Sequence, residues 1–338
     1  MKKENNTQIY SDQSKIDPLK WSEFNRIHPD GNFFQSPEAY DFFSKIDHYF
    51  PFIIWASEGN EIIGLISGVT IKEPGLKSSF SIRTIVWGGP LIKKDEDLCI
   101  DLLVYLGKIN KSSIYIEFRN LFNTNKISPG LKALKYKFKP HLNYVVKLDT
   151  IEENQKKLSK SKLRQIRSSL KNGVEICEAN NEDQVKDFYR ILKELYTKKV
   201  KKPLPRIEFF LTFFHSPALG KILVLKYQNK IIGGIVCPIF DNKIIYEMYV
   251  AGEDGKHKGI FSSVLTTWAP IEYGINNGIQ FFDFLGAGSP DSDYGVREFK
   301  SKFGGELVEY GRYIKLNKPV LYLIGKTALK VIAKFKET

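Results

Sequence analysis

The strongest constraint on the fold of this chain is an internal repeat. Asn60-Glu61-Ile62-Ile63-Gly64 returns as Asn229-Lys230-Ile231-Ile232-Gly233, an offset of 233 − 64 = 169. Ile116-Glu117-Phe118 returns as Phe282-Asp283-Phe284, an offset of 283 − 117 = 166. Lys135-x-Lys137-Phe138 returns as Lys300-x-Lys302-Phe303, an offset of 303 − 138 = 165. Three matches in one order at nearly one offset are not expected by chance. The period is far too long for a solenoid. Half of a 338-residue chain is enough for a domain with its own core. The repeat therefore predicts an α/β protein: two copies of one domain in tandem, each a mixed central sheet flanked by helices.

Local patterns fill in the copies. Residues 17–50 read as helical, with Trp21, Phe24, Phe42 and Phe43 as core candidates, and Ser36-Pro37 reads as an N-cap followed by a first helical residue. Strands are expected at 52–57, 62–71, 81–87 and 113–119, a helix at 97–110, and a closing strand at 144–148. The first domain is thus placed at 1–148 and the second at 149–316, with a terminal helix over 317–338. The first dozen residues carry no apolar pattern and read as unstructured.

The copies differ most at 281–304, FFDFLGAGSPDSDYGVREFKSKFG. A strand runs into a loop with Gly286, Gly288 and Gly295, followed by a segment carrying Lys300 and Lys302. Glycine lets backbone approach a ligand, and strand ends are where α/β proteins place ligands. The first copy has 121–129 there, without a comparable glycine loop. The active centre is therefore expected in the second copy. The plainer alternative is a surface hairpin with solvated lysines.

Charge points to anionic partners. The formal net charge is +13, which suits nucleic acid, phosphorylated substrates or an acidic membrane surface. The densest feature is 156–171, with Lys156, Lys157, Lys160, Lys162, Arg164, Arg167 and Lys171 and no acid. At helical spacing Lys160, Arg164, Arg167 and Lys171 form one stripe beside an apolar stripe of Leu163, Ile166 and Leu170. The basic stripe is read as an anion-binding face, against the ordinary alternative of a solvated helix surface. Lys198 and Lys199 stand in a second basic cluster before Pro203-Leu204-Pro205. The tail has Val320, Leu321, Ile324, Ala328, Leu329 and Ile332 at helical spacing with lysines on other faces, a pattern that can also lie on an acidic membrane.

Other chemistries find no support. Cys99, Cys177 and Cys237 are far apart and odd in number, which argues against disulfides and suits a reducing cytoplasm. The N-terminus has lysines but no apolar core for a signal peptide, and no run is long enough to span a membrane. No histidine falls in a metal motif, and no nucleophile elbow or P-loop is present. No metal is expected.

The run FDFLG, a polar spacer, and then G-V-x-x-F-K-x-x-F-G resembles the C-terminal signature of the Fem-type aminoacyltransferases of the acetyltransferase-like (GNAT) superfamily. Phe34-Gln35-Ser36 followed by Glu38 is similar to that family too, and so is the basic segment 156–171, where the family opens its second domain with a K-x-x-R-x-x-I element. The resemblance implies a duplicated GNAT (acyl-CoA N-acyltransferase-like) fold with the terminal helix packed back on the first domain. It implies transfer of an amino acid from aminoacyl-tRNA to an amine of an anionic peptidoglycan or cell-envelope precursor. The donor is a substrate and no cofactor stays bound. Relatives of the same fold use acyl-CoA instead, and a non-catalytic duplicate that binds RNA or another anion is the third reading. Partners on this view are the envelope precursor, tRNA, and the inner membrane face as a peripheral contact.

The resemblance also implies site residues. Lys300 would stabilise the oxyanion or the donor's phosphate. Asp283 would hold Lys300 or take the amine's proton, its ordinary alternative being a bond to the following loop. Tyr249 would contact the acyl group. Lys160, Arg164, Arg167, Lys198, Lys199 and Gln35 would hold substrate and phosphate, although Thr197-Lys198-Lys199-Val200 lacks the arginine of the family's T-x-x-R element. Lys258 and Gly259 would meet the donor, although 256–261 keeps one of the two glycines of the acyl-CoA pattern.

Overall fold

The two longest β-branched runs, 61–71 and 230–240, become the long central strands of two sheets, buried along almost their whole length. A computed structural model of the chain describes residues 7–73, 81–93, 96–291 and 294–335, the segment 328–335 by its backbone alone. The chain divides into two units, one formed by residues up to Pro140 and from Tyr310 onward, the other by His141–Glu309.

Unit 1 begins with β1 (Thr7–Tyr10), α1 (Pro18–Ile27), α2 (Pro37–Ser44), β2 (Tyr49–Glu58), β3 (Glu61–Ile71), β4 (Arg83–Trp87) and β5 (Leu91–Ile92). It continues through α3 (Glu96–Ile109), β6 (Tyr115–Arg119), α4 (Ser128–Ala133) and β7 (Lys137–Lys139). Unit 2 follows with β8 (Leu142–Lys147), α5 (Ile151–Lys157), α6 (Lys160–Lys171), β9 (Glu175–Glu178), α7 (Glu182–Leu195), α8 (Ile207–Phe214) and β10 (Gly220–Tyr227). Then come β11 (Lys230–Phe240), β12 (Ile244–Tyr246), β13 (Tyr249–Gly252), α9 (Ser262–Asn276), β14 (Phe281–Asp283), α10 (Gly295–Ser301) and β15 (Glu306–Glu309). The chain returns to unit 1 for β16 (Arg312–Leu316) and α11 (Pro319–Phe335). Side-chain caps start several helices: Ser36 accepts from Ala39 N with Pro37 in the first turn, as expected, and Asp17, Thr150, Ser159 and Asn181 do the same elsewhere.

Among the described residues each sheet has eight strands, in the orders β1-β2-β3-β4-β6-β16-β7, with β5 on β3, and β15-β8-β14-β12-β11-β10-β9, with β13 on β11. The copies match pair for pair. β6 runs parallel to β4 and antiparallel to β16; β14 runs parallel to β12 and antiparallel to β8. Glu117 and Asp283 therefore occupy equivalent strands. Each central hairpin carries a register shift at the same place, between Ala56 and Ser57 and between Leu225 and Lys226, an offset of 225 − 56 = 169. The third repeat match slips: Lys135 lies past the end of α4 with φ 65°, whereas Lys300 is inside α10.

The structure revises three sequence expectations. The boundary is at 140/141 rather than 148, because β8 bonds to β14 and β15 of the second sheet. Residues 310–316 belong to unit 1, because β16 fills the place beside β6. Residues 7–10 are a strand, since β1 pairs with β2 along its length. In the tail, Tyr322 packs on Tyr115 of unit 1, whereas Val320 and Ile324 of the expected apolar stripe are exposed. The side chains of Ala328, Leu329 and Ile332 lie outside the described residues.

The core of unit 2 gathers Phe282, Phe284, Phe303, Trp268 and Leu265 beneath the sheet. Gly304 closes α10 against α5 with φ +79°, and a Cβ there would stand 2.5 Å from Lys157 Cβ and 2.8 Å from its carbonyl oxygen. Gly304→Ala is expected to lose about 1–2 kcal/mol from the left-handed backbone alone, plus the clash. Urea denaturation should show a lowered midpoint at unchanged slope; an unaltered midpoint would show that this turn relaxes freely.

Candidate active site

The centre of unit 2 is built where its sheet forks. A single strand was expected over 244–250. Instead β12 follows β14 and β13 follows β11, and the chain parts between them at Glu247-Met248. Glu247 N–H donates to Asp283 O at 2.9 Å and Met248 N–H to Val236 O at 3.0 Å, so consecutive amides serve different strands. The fork turns the Glu247 side chain inward, where 6% of the residue stays exposed.

Lys300 comes from the last turn of α10 to meet it. Its ammonium donates to Glu247 Oε1 at 2.8 Å, Phe284 O at 2.9 Å and Gly286 O at 2.8 Å. Three donors thus meet three acceptors, and the Nζ also lies 5.1 Å from the Phe284 ring centroid. The carbonyls converge because the loop after β14 turns through left-handed backbone, at Leu285 (φ 52°), Gly286 (φ 134°) and Gly288 (φ 83°). At Gly286 a Cβ would stand 2.9 Å from His141 Nε2. Glu247 Oε2, by contrast, is buried without a hydrogen-bond partner. Burial pushes the Glu247 carboxyl up by more than Lys300 pulls it down.

Asp283 does not hold Lys300, as the sequence reading had it. Its Oδ1 accepts from Asn143 Nδ2 at 2.8 Å and from Leu285 N at 2.6 Å, the loop-bonding alternative, and Asn143 Oδ1 takes Gly286 N–H at 2.7 Å. Burial drives its carboxyl to about 6. Glu247 is the functional partner that sequence reasoning missed. Its signal was weak, one acid in an otherwise apolar run.

Lys162 was also missed as an inward residue. The basic stripe of α6 is exposed as expected, with Lys160, Arg164, Arg167 and Lys171 outside and Ile166 buried, but Leu170 is exposed. Lys162 instead points in, 4.2 Å from the Phe299 ring centroid and 6.0 Å from that of Phe303, the aromatics that flank Lys300. Lys302 turns away to pair with Glu298 on the surface. Tyr249 is half-buried among Tyr196, Phe209 and Phe210, two residues from Glu247.

The remaining candidates are dispersed. Lys198 pairs with Glu194 on an exposed turn and Lys199 is exposed beside it. Gln35 is fully buried in unit 1 and ties Ser67 N, Ser67 O and Trp87 O, so it braces backbone instead of meeting a ligand. Lys258 is exposed. The Ser168 hydroxyl donates to the Gly259 carbonyl oxygen at 2.8 Å, which ties the loop to α6. The first amides of α9, a donor-phosphate position in the acyl-CoA reading, already have partners: Phe261 N–H donates to Ser169 Oγ and Ser263 N–H to Asp254 Oδ1, both at 2.9 Å. Among the described residues no group of three or more His, Cys, Asp or Glu is placed to hold a metal. No helix of the described residues is long and apolar enough to cross a membrane.

Two mixed sheets of matching topology, each flanked by helices, define a tandem GNAT fold. A tandem GNAT protein from the clavulanic acid pathway compares with a TM-score of 0.55 at 8% identity, over 92% of this chain and 98% of that one. Within this fold, residues 222–330 match the FemAB family model. The crystal structure of FemX compares with a TM-score of 0.71 at 15% identity, over 94% of this chain and 100% of that one. A 96-residue stretch is 32% identical to aminoacyltransferase FemA of Staphylococcus aureus. That stretch is 27% of this chain and 22% of the relative, so the match spans about a fifth of FemA's length.

The Asp283 carboxyl makes a pH prediction. Its folded value is raised from 3.8 to about 6, so the stability it contributes is complete below about pH 4 and is lost as pH rises through 6. Asp283→Asn keeps an acceptor for Leu285 and Asn143 and removes the titration. Between pH 4 and pH 8 its stability relative to the natural protein should rise by up to about 3 kcal/mol. Parallel pH profiles in chemical denaturation would show that Asp283 does not titrate in this range.

Proposed function

We propose that this chain is a Fem-type aminoacyltransferase that moves an activated amino acid from aminoacyl-tRNA to an amine of a peptidoglycan or other cell-envelope precursor, in the cytoplasm. The observation that carries the reading is the buried Glu247–Lys300 pair, which lies inside the segment matched by the FemAB model. FemA of Staphylococcus aureus, 32% identical over 96 residues, is an aminoacyltransferase.

The chemistry follows from the pair. The acceptor's amine attacks the ester carbonyl; a C–N bond forms, an oxyanion develops, and the C–O bond to the tRNA ribose breaks. The attacking nitrogen must shed a proton. Glu247 Oε2 has unused acceptor capacity and a carboxyl raised toward the working range of a general base. Lys300 supplies a fixed positive charge. Its ammonium already meets three acceptors, so it acts through its field or by releasing one of them as the oxyanion forms. The exposed basic stripe of α6 suits a polyanionic donor, and the envelope precursor is the anionic acceptor. Acyl-CoA is the less favoured donor, since Asp254 and Ser169 occupy the amides at the start of α9 where a pyrophosphate would dock.

Two measurements test this. In single-turnover transfer with aminoacyl-tRNA and with acyl-CoA, folded Lys300→Met should lose about 10²–10³-fold in rate, and Lys302→Met should change little. Near-normal turnover by Lys300→Met would remove Lys300 from the mechanism. The tRNA contact is tested separately. Arg164→Ala combined with Arg167→Ala should weaken tRNA binding and reduce the slope of affinity against salt by about two. An unchanged slope would assign the α6 stripe to solvent.

A further inference from the structure

Unit 1 carries an acid at the position equivalent to Asp283, and its surroundings are opposite in character. Glu117 accepts from Arg119 Nε at 3.0 Å and from Arg312 Nη1 at 3.3 Å. Burial raises the Glu117 carboxyl, and Arg119 and Arg312 together more than reverse that, so it ends below its ordinary value. Arg312 occupies on β16 the place that Asn143 occupies on β8, since Ile314 is opposite Glu117 as Val145 is opposite Asp283.

The strand registers place Trp87, Arg119, Arg312 and Lys139 in one row across β4, β6, β16 and β7. Opposed residues share a face, so three cations stand on adjacent strands about 4.8 Å apart. Like charges directly opposed on a sheet repel. The row is nonetheless held in shape: Arg119 lies over the Trp87 ring at 5.2 Å, Lys139 Nζ lies 5.8 Å from the Tyr322 ring centroid, and Glu117 ties the two guanidinia from the next row. Arg119 gives Glu117 its Nε–H, and its two terminal amino groups meet no acceptor among the described residues. Its side chain is 35% exposed and that of Arg312 27%, so the fork reaches solvent from a partly desolvated seat.

We propose that this row is an oxyanion site of unit 1 for a phosphate-bearing ligand. Arg119 presents its open fork to the phosphate oxygens, Arg312 supports it from the next strand, and Lys139 adds a point charge at the end of the row. Glu117 orients the guanidinia and neutralises part of the row, and the ligand offsets the remaining repulsion. The site uses no residue of the Glu247–Lys300 centre and does not depend on the transferase reading.

Calorimetric titration of the full chain with inorganic pyrophosphate at low salt tests it. Saturable binding is expected, weakened about tenfold in Arg119→Lys, which keeps the charge but loses the fork. Glu117→Gln keeps an acceptor for one of the two arginines, which bond different carboxylate oxygens, and removes the competing charge, so it should tighten binding several-fold. A purely structural triad would show lowered melting temperatures in both variants with no change in binding. Absence of saturable binding, indifference to both substitutions, or loss of binding only in the Arg164→Ala, Arg167→Ala variant of α6 would each overturn the proposal.

Discussion

Unit 2 depends on burying one ammonium and one carboxylate together. Removing two charges from water costs several kcal/mol per ion, and their attraction offsets this only with good geometry and satisfied remaining donors. Lys300 meets that condition through two carbonyls as well as Glu247. Those carbonyls converge because the loop after β14 passes through positive φ at Leu285 and Gly286. The carboxylate is in reach because the sheet forks at Glu247. The glycine loop, the fork and α10 are thus parts of one arrangement, in which Glu247 Oε2 stays buried without a hydrogen-bond partner.

The duplication shows how one topology supports opposite electrostatics. Asp283 and Glu117 lie on equivalent strands, yet one carboxyl is raised and the other lowered. The difference lies in the partners: Glu117 meets Arg119 of its own strand and Arg312 of the antiparallel strand, whereas Asp283 meets the neutral Asn143 and the Leu285 amide. The antiparallel strand is the first strand of unit 2 in one case, β8, and in the other it is β16, which returns to unit 1 after unit 2 is complete. The charge of the flanking residues, at equivalent strand positions, decides whether the carboxyl is shifted up or down.

The similarity to Fem proteins is uneven along the chain. The family model covers 222–330, from β10 into α11, and includes the fork, the glycine loop and Lys300. The fold likeness to FemX extends over 94% of the chain at 15% identity. Fold has thus outlasted sequence, as expected when the core asks only for apolar residues of suitable volume and pattern.

By itself the sequence determined the duplicated α/β plan, the central hairpins, the Ser36 cap and the glycine loop. Each is a local signal: β-branched runs, a capping residue before proline, glycines at positive φ, and a repeat that shows at a constant offset. Tertiary structure alone decided that Glu247 and not Asp283 holds Lys300, that Lys162 turns in upon Phe299, that Gln35 braces backbone, and that β8 and β16 fill the sheets they do. Read locally, 244–250 is one strand, and the fork exists only because Asp283 O and Val236 O draw consecutive amides to different neighbours. Asn143 and Asp283 are 140 residues apart, and Arg312 and Glu117 are 195 apart. Periodicity reports which face of an element is buried, but it does not report which distant strand supplies the partner, and buried charges take their roles from that partner.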